Sequence, residues 1–234
     1  MMSKRNYAQD AEAHRDIIEV GRRMYQKGFA NANDGNISVR VSKDTVWATP
    51  TGVSKGFMTP DMLVLLDLDG NVLHGKSKPS SEIKMHLAVY KNSQDARAVT
   101  HAHPPIATTF AAAGIPLDKA LLQETVVLLG VIPLAQYALP GSDALAQSIV
   151  PFVQDYNGAL LEHHGAVSWG KDAMQAFFRL ESIEYTAMVT MYSRMMGITR
   201  PLMEEQIDEL MALRPAWGVT GGGRPVGRGK DDEI

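Results

Sequence analysis

The chain has 234 residues, 45% of them hydrophobic and 21% charged, with a formal net charge of −3, ordinary values for one large or two small soluble globular domains. That balance, with a pI near 6.2, gives no electrostatic reason to expect nucleic acid or an anionic membrane as partner, and no apolar run approaches the roughly 18 residues that span a bilayer. Cysteine is absent, which excludes disulfides, thiolate metal sites and a cysteine nucleophile, so any metal must be held by nitrogen and oxygen ligands.

The start, Met1-Met2-Ser3-Lys4-Arg5-Asn6, leads into polar sequence without the apolar core of a signal peptide, and a cytoplasmic protein is the expectation. Residues 10–27 carry Ala13, Ile17, Val20, Gly21 and Met24 at helical spacing, with Gly28 as the stop. Ile37, Val39 and Val41 alternate with polar partners as a strand, Ser42-Lys43-Asp44 is a turn, and Thr45 to Thr49 is the next strand. The apolar run Met62 to Asp67, then Asp69-Gly70 ahead of Val72-Leu73, signals a hairpin. From Ser81 to Tyr90 the period is helical again, with Ser80 as a candidate N-cap. Ala98 to His103 is a strand closed by Pro104-Pro105, because neither proline can donate to a ladder. Ile106 to Ala113 reads as a helix and Thr125 to Ile132 as a buried strand.

Ser142-Asp143 caps a helix carrying Leu145, Ile149, Phe152 and Val153 that Asn157-Gly158 ends. Ala159 to His164 and Ala166 to Trp169 are strand-like pieces broken by Gly165. Asp172 opens a helix of about 25 residues closing at Gly197, and Pro201 to Leu213 is the last helix. Residues 1–219 therefore read as a single layered α/β domain with a mixed or antiparallel sheet. Residues 220–234, glycine-rich and charged, read as a mobile tail.

The chemistry concentrates at His101-Ala102-His103. On a strand, residues two apart face the same way, about 6.6 Å apart along the backbone, so both imidazoles can reach one metal ion. Leu160 to Gly165 offers a third ring, from His163 or His164; alternation sends these two to opposite faces and does not choose between them. Ser80-Ser81-Glu82 places a carboxylate at the start of a helix. Three His ligands with a position left for a carboxylate or substrate make the pattern of a catalytic zinc site. His14 and His74 read as solvated, and His86, four residues after Glu82, as a partner behind the site or on the helix surface. Asp34-Gly35-Asn36, Thr49-Pro50-Thr51-Gly52 and Pro79-Ser80-Ser81 are small-hydroxyl and glycine turns; they read equally as ordinary turns or as a phosphate site built from hydroxyls, backbone N–H groups and a helix N-terminus.

Asn33 to Arg40, Thr49 to Gly52, Lys78 to Glu82, His101 to His103 and Glu162 to Gly165 occur in the order and approximate spacing of the class II aldolase/adducin family, which the chain resembles from about residue 10 to residue 214. The resemblance is nearest to the L-fuculose-1-phosphate aldolase-like enzymes. It implies an α/β/α fold around a largely antiparallel sheet and a C4 homotetramer with sites at subunit boundaries. It implies zinc, with Mn²⁺ or Co²⁺ as substitutes, on His101, His103 and His164, choosing His164 over His163. Glu82 would double as a resting ligand and the general acid/base, and Asn36, Thr51, Gly52, Ser80 and Ser81 would bind the substrate phosphate. Gln123 and Trp217 stand where tyrosines reach over from a neighbouring subunit in the fuculose-phosphate aldolases, so they mark an aldehyde pocket of different chemistry.

The expected function is a zinc-dependent aldolase that cleaves a 2-keto sugar 1-phosphate to dihydroxyacetone phosphate and an aldehyde through an enediolate. A sugar-phosphate 4-epimerase and a methylthioribulose-1-phosphate dehydratase are the alternatives within the superfamily, though the epimerases typically carry Asp where this chain has Glu82. A non-catalytic adducin-like module lacks the metal ligands, and a His₃ zinc hydrolase leaves the hydroxyl and glycine clusters without a task.

Overall fold

Ala13, Ile17, Val20 and Met24 recur every three or four residues, so one face of α1 (Asp10–Gln26) is buried along its length. Strands β1 (Asn36–Arg40) and β2 (Thr45–Ala48) follow, then the hairpin of β3 (Val64–Asp67) and β4 (Val72–His74). Next come α2 (Ile83–Asn92), β5 (Ala98–Ala102) and α3 (Pro105–Ala112). The second half holds α4 (Gln123–Leu128), β6 (Leu134–Ala135), α5 (Asp143–Ile149), β7 (Gly158–Leu161), β8 (Gly165–Gly170), the long α6 (Ala173–Met195) and α7 (Glu204–Leu213). This computed structural model describes residues 7–229; the polar start at Met1–Asn6 and residues 230–234 of the glycine-rich segment lie outside the described residues.

The strands form one sheet in the order β4-β3-β2-β1-β5-β8-β7-β6. Only β6 and β7 pair in parallel; the other neighbours are antiparallel. Alternation along the strands feeds two cores. Ile37, Val39, Ala98 and Ala102 pack with α1, α3 and α6 on one face, while Val46, Val64, Val99 and Val167 pack with α2 and α5 on the other. The result is the α/β/α arrangement with a largely antiparallel sheet that the sequence led us to expect. Glu184 in the middle of α6 serves as the N-terminal cap of α3, accepting from the backbone N–H of Ile106 at 3.0 Å and of Ala107 at 2.7 Å.

Three expectations are corrected. Thr125 to Ile132 is not a strand, because Thr125–Leu128 belongs to α4; Val126 packs against Ile207 of α7, and this contact overrides the strand preference of the β-branched residues. The helix expected to reach Val153 stops at Ile149 and tightens into a 3-10 turn over Val150–Phe152, since Pro151 has no N–H to continue it. The glycine-rich segment, expected as a mobile tail, is hydrogen-bonded to the body as far as Arg228. Gly222 N–H donates to Asp155 O at 2.6 Å, Val226 N–H to Asp118 O at 2.7 Å and Arg228 N–H to Leu202 O at 2.9 Å.

The clasp for that segment is the buried guanidinium of Arg214, which donates to Val126 O at 2.9 Å, Gly221 O at 3.1 Å and Gly223 O at 2.9 Å. Arg214→Met keeps the aliphatic stem and removes every donor. We expect it to lower stability by roughly 1.5–3 kcal/mol, read by denaturant unfolding, and to open residues 220–229 to limited proteolysis while the sheet stays protected.

Candidate active site

His101 lies near the end of β5, and its Nδ1 is 2.9 Å from Ala166 O on the neighbouring β8. A carbonyl can only accept, so Nδ1 carries a proton, and in the neutral ring the lone pair sits on Nε2. That Nε2 lies 3.2 Å from Glu82 Oε2. Two acceptors facing each other at this distance require a cation, either a proton that makes His101 an imidazolium or a metal ion beside both groups. Burial by itself lowers the His101 pKa, but the Glu82 carboxylate more than offsets it and the net shift is upward.

His103 follows β5, released from the ladder by the two prolines. Its Nδ1 sits 3.3 Å from Asp34 Oδ2, and its Nε2 is buried without a hydrogen-bond partner. Burial, then the neighbouring His101 and His164 rings, push it down to about 4. His164 lies in the turn between β7 and β8, not on a strand as expected. There His163 adopts φ 56°, an uncommon conformation for a residue with a Cβ, and points to the surface beside Tyr137 with 6.4 Å between ring centroids. His164 turns inward, with Nε2 3.0 Å from Glu82 Oε1 and Nδ1 buried and unpartnered. Gly165 makes this approach possible: a Cβ there would lie 2.5 Å from Ala102 O and 2.7 Å from His103 Cδ2. Imidazole nitrogens of His101, His103 and His164 all lie within 4.8 Å of one another. Bare, buried nitrogens and an adjoining carboxylate are the donor set of a divalent cation site, and the residues fit that group.

Glu82 is the N-cap residue of α2. Burial alone would raise its carboxyl, yet the His101 and His164 rings against its two oxygens hold it far below the usual carboxylate range. Asn36, opposite His101 in the β1–β5 register, donates from Nδ2 to Glu82 Oε2 at 2.9 Å and to Ser80 Oγ at 3.0 Å. Its own Oδ1 is buried and unpartnered.

In front of this cluster lies a cavity of about 230 Å³. The Asn33–Asn36 turn, the Pro50–Gly52 turn, Ser80, Ser81 and Glu82 line it, together with Lys55, His103, Pro140 and His164. Backbone bonds from Thr51 N–H to Lys78 O at 3.0 Å and from Ser80 N–H to Thr49 O at 3.1 Å zip the two hydroxyl turns together. Asn36, Thr51, Gly52, Ser80, Ser81 and Glu82, separate in sequence, thus meet at one site. Gln123 and Trp217 are not among the lining residues; Gln123 begins α4 at the surface and Trp217 is 60% exposed.

Among the other histidines, His74 is exposed as expected. His14 is half-buried and packs edge-on against Trp47, with 4.2 Å between centroids. His86 is not on the helix surface. It is fully buried, shares a 2.7 Å hydrogen bond with Ser38 Oγ, and is pushed down to about 3 chiefly by burial. Sequence reasoning passed over Asp34 as a neighbour of His103, and Lys55 altogether. A lysine four residues past Thr51 carries no mark of burial.

Residues 15–191 match the Class II Aldolase and Adducin N-terminal domain. The chain is similar to the L-fuculose phosphate aldolase of Methanococcus maripaludis, at 33% identity over 177 residues that cover 74% of this chain and 93% of the relative. It is also similar to the 3-oxo-tetronate 4-phosphate decarboxylase of Cupriavidus necator, at 34% identity over 187 residues, 78% of this chain and 85% of the relative. A solved L-fuculose 1-phosphate aldolase superposes with a TM-score of 0.81 at 27% identity, covering 88% of this chain and 97% of that one. By the extent of the match and the identity of its relatives, the chain belongs to the class II aldolase and adducin family.

Proposed function

We propose that the protein is a zinc-dependent aldolase cleaving a 2-keto sugar 1-phosphate to dihydroxyacetone phosphate and an aldehyde. The observation that carries this reading is the Glu82 carboxylate, buried against His101 and His164 at the wall of a cavity furnished with hydroxyls. His101, His103 and His164 would hold the ion with Glu82 as a resting ligand; zinc suits three imidazoles and a carboxylate, and Mn²⁺ or Co²⁺ would substitute. The chemistry such a cation supplies when bound is Lewis acidity toward oxygens on which negative charge develops.

The chain's own residues do the rest. Thr51, Gly52, Ser80 and Ser81 hold the phosphoryl end through hydroxyl and backbone donors, and Asn36 joins them by turning one Nδ2 hydrogen from Ser80 to the phosphoryl group. Asn36 Nδ2 also fixes one Glu82 oxygen. Glu82 moves the proton at the hydroxyl-bearing carbon of dihydroxyacetone phosphate, and it regains basicity as substrate takes its place among the histidines. Gln123 and Trp217, outside the chain's own cavity, serve the aldehyde end from a neighbouring subunit of a homotetramer. The exposed Phe178, Tyr185 and Tyr192, seven residues apart on α6, offer an apolar face for such assembly.

A second reading is supported by the relative that is a 3-oxo-tetronate 4-phosphate decarboxylase. Loss of carbon dioxide from a 3-oxo acid also leaves an enolate, and the same cavity would serve a phosphorylated acid. Metal-loaded protein offered dihydroxyacetone phosphate with a panel of aldehydes, and separately phosphorylated 3-oxo acids, separates the two. The aldolase reading expects carbon–carbon bond formation in the first assay and fails if only carbon dioxide release in the second is seen.

Metal content discriminates the two adjacent histidines. His164→Ala is expected to lose most bound zinc, while folded His163→Ala keeps it, measured by elemental analysis after dialysis; equal loss from both would overturn the assignment. For Glu82→Gln we expect retained zinc and retained binding of dihydroxyacetone phosphate, with exchange of that compound's carbon-bound proton into deuterated water slowed by about a hundred- to ten-thousandfold. Undiminished exchange would move the base elsewhere, with His86 and Glu124 next to test. Light scattering should give four times the 25.6 kDa chain mass, and a fully active monomer would contradict the shared site.

A further inference from the structure

Lys55 is 2% exposed, an expensive place for an ammonium group. Its Nζ is held by two main-chain carbonyls, Asn33 O at 2.8 Å and Val53 O at 2.6 Å. These belong to the two turns that line the cavity, one running into Asn36 and the other out of Thr51-Gly52. An ammonium has three donors, and these bonds use two. The backbone at Lys55 cannot retreat, because α1 presses on it so closely that a Cβ on Gly21 would lie 2.6 Å from Lys55 O. Lys55 also lines the cavity itself, as do Asp34 and Glu82. A phosphate dianion entering there meets two negative side chains, whose repulsion a fixed positive charge at its own end offsets. Burial pushes the Lys55 ammonium down to about 8, while Asp34 and Glu82 pull it upward, so an arriving anion favours the charged form.

We propose that Lys55 is the cation of the substrate's phosphoryl subsite, tying the Asn33–Asn36 turn to the Thr51–Val53 turn and offering its remaining N–H to the phosphoryl oxygens. This rests on the phosphorylated-substrate reading above. A lysine serving only as a strut between two turns would alter stability without selecting phosphorylated ligands.

The test uses full-length metal-loaded protein. Wild type carrying ¹³C at lysine Cε, assigned through bonds, is titrated with inorganic phosphate, and the Lys55 signal is expected to shift and saturate. Lys55→Met should weaken phosphate binding by about ten- to a hundredfold, the usual cost of a hydrogen bond to a charged group. It should raise the KM for proton exchange of dihydroxyacetone phosphate by a similar factor, with zinc content unchanged and maximal rate altered less than about threefold. Lys55→Arg should restore part of the loss. If wild type exchanges unphosphorylated dihydroxyacetone as readily as the phosphate, the phosphorylated-substrate reading fails and takes this proposal with it. If wild type keeps that preference but the Lys55 signal does not move, or Lys55→Met binds phosphate normally, the Lys55 proposal alone is overturned. Should Lys55→Met not fold, the wild-type titration decides.

Discussion

Strand register holds the site together. Asn36 sits opposite His101 across β1 and β5, and Ala102 opposite Ala166 across β5 and β8. Because side chains alternate, a slip of one residue would carry His101 from the α2 side of the sheet to the α1 side and separate it from Glu82. Both faces guard against that slip. Ala98 and Ala102 belong to one core and Val99 to the other, so any shift would drive large side chains into space shaped for small ones. The geometry at three imidazoles is therefore maintained by apolar packing a full layer deep on each side.

Within that frame the site concentrates negative charge at a helix start. Glu82 is the N-cap residue of α2, and Ser80 and Ser81 occupy the turn before it, at the end of the helix where the backbone dipole favours negative charge. Beneath them His86, Ser38 and Tyr90 form a buried polar chain, with Tyr90 and Ser38 Oγ 2.8 Å apart. A protonated His86 would be a rival counter-charge for Glu82. Burial keeps it neutral near pH 7, which leaves the carboxylate to His101, His164 and Asn36.

The legible parts of the sequence were those whose signal is local. A strand ended by two prolines showed where His101 and His103 emerge, a serine pair before a helical period located Glu82, and glycine-hydroxyl turns outlined the cavity. The choice between His163 and His164 came only from the family resemblance, because strand alternation does not apply inside a turn with a left-handed residue. Lys55 was invisible for another reason: its burial depends on how closely α1 packs over a turn, a tertiary fact with no periodic trace. The misread α4 and the anchored glycine-rich segment share a cause. Val126 is helical because α7 packs on it, and Gly221 and Gly223 are held because Arg214 reaches their carbonyls. Each depends on a partner distant in sequence.

The division of labour around the cavity bears on why relatives of comparable identity are named for different reactions, an aldolase and a decarboxylase. Its lining comes from residues 33–36, 50–52, 55, 80–82, 103, 140 and 164, and none comes from α4 or the segment near Trp217. On the proposed reading, one chain alone supplies what every substrate of this type shares, the phosphoryl group and the carbonyl that accepts charge. The group that departs, whether an aldehyde or carbon dioxide, meets residues from outside this constellation. Substitution there, such as a glutamine at 123 that can orient but not donate a proton as an acid, would alter which bond is broken without disturbing Glu82 or its histidines. Stabilising a developing oxyanion is common to aldol cleavage and decarboxylation, so on that reading selection among them would belong to the periphery, and the sheet register would preserve the common part.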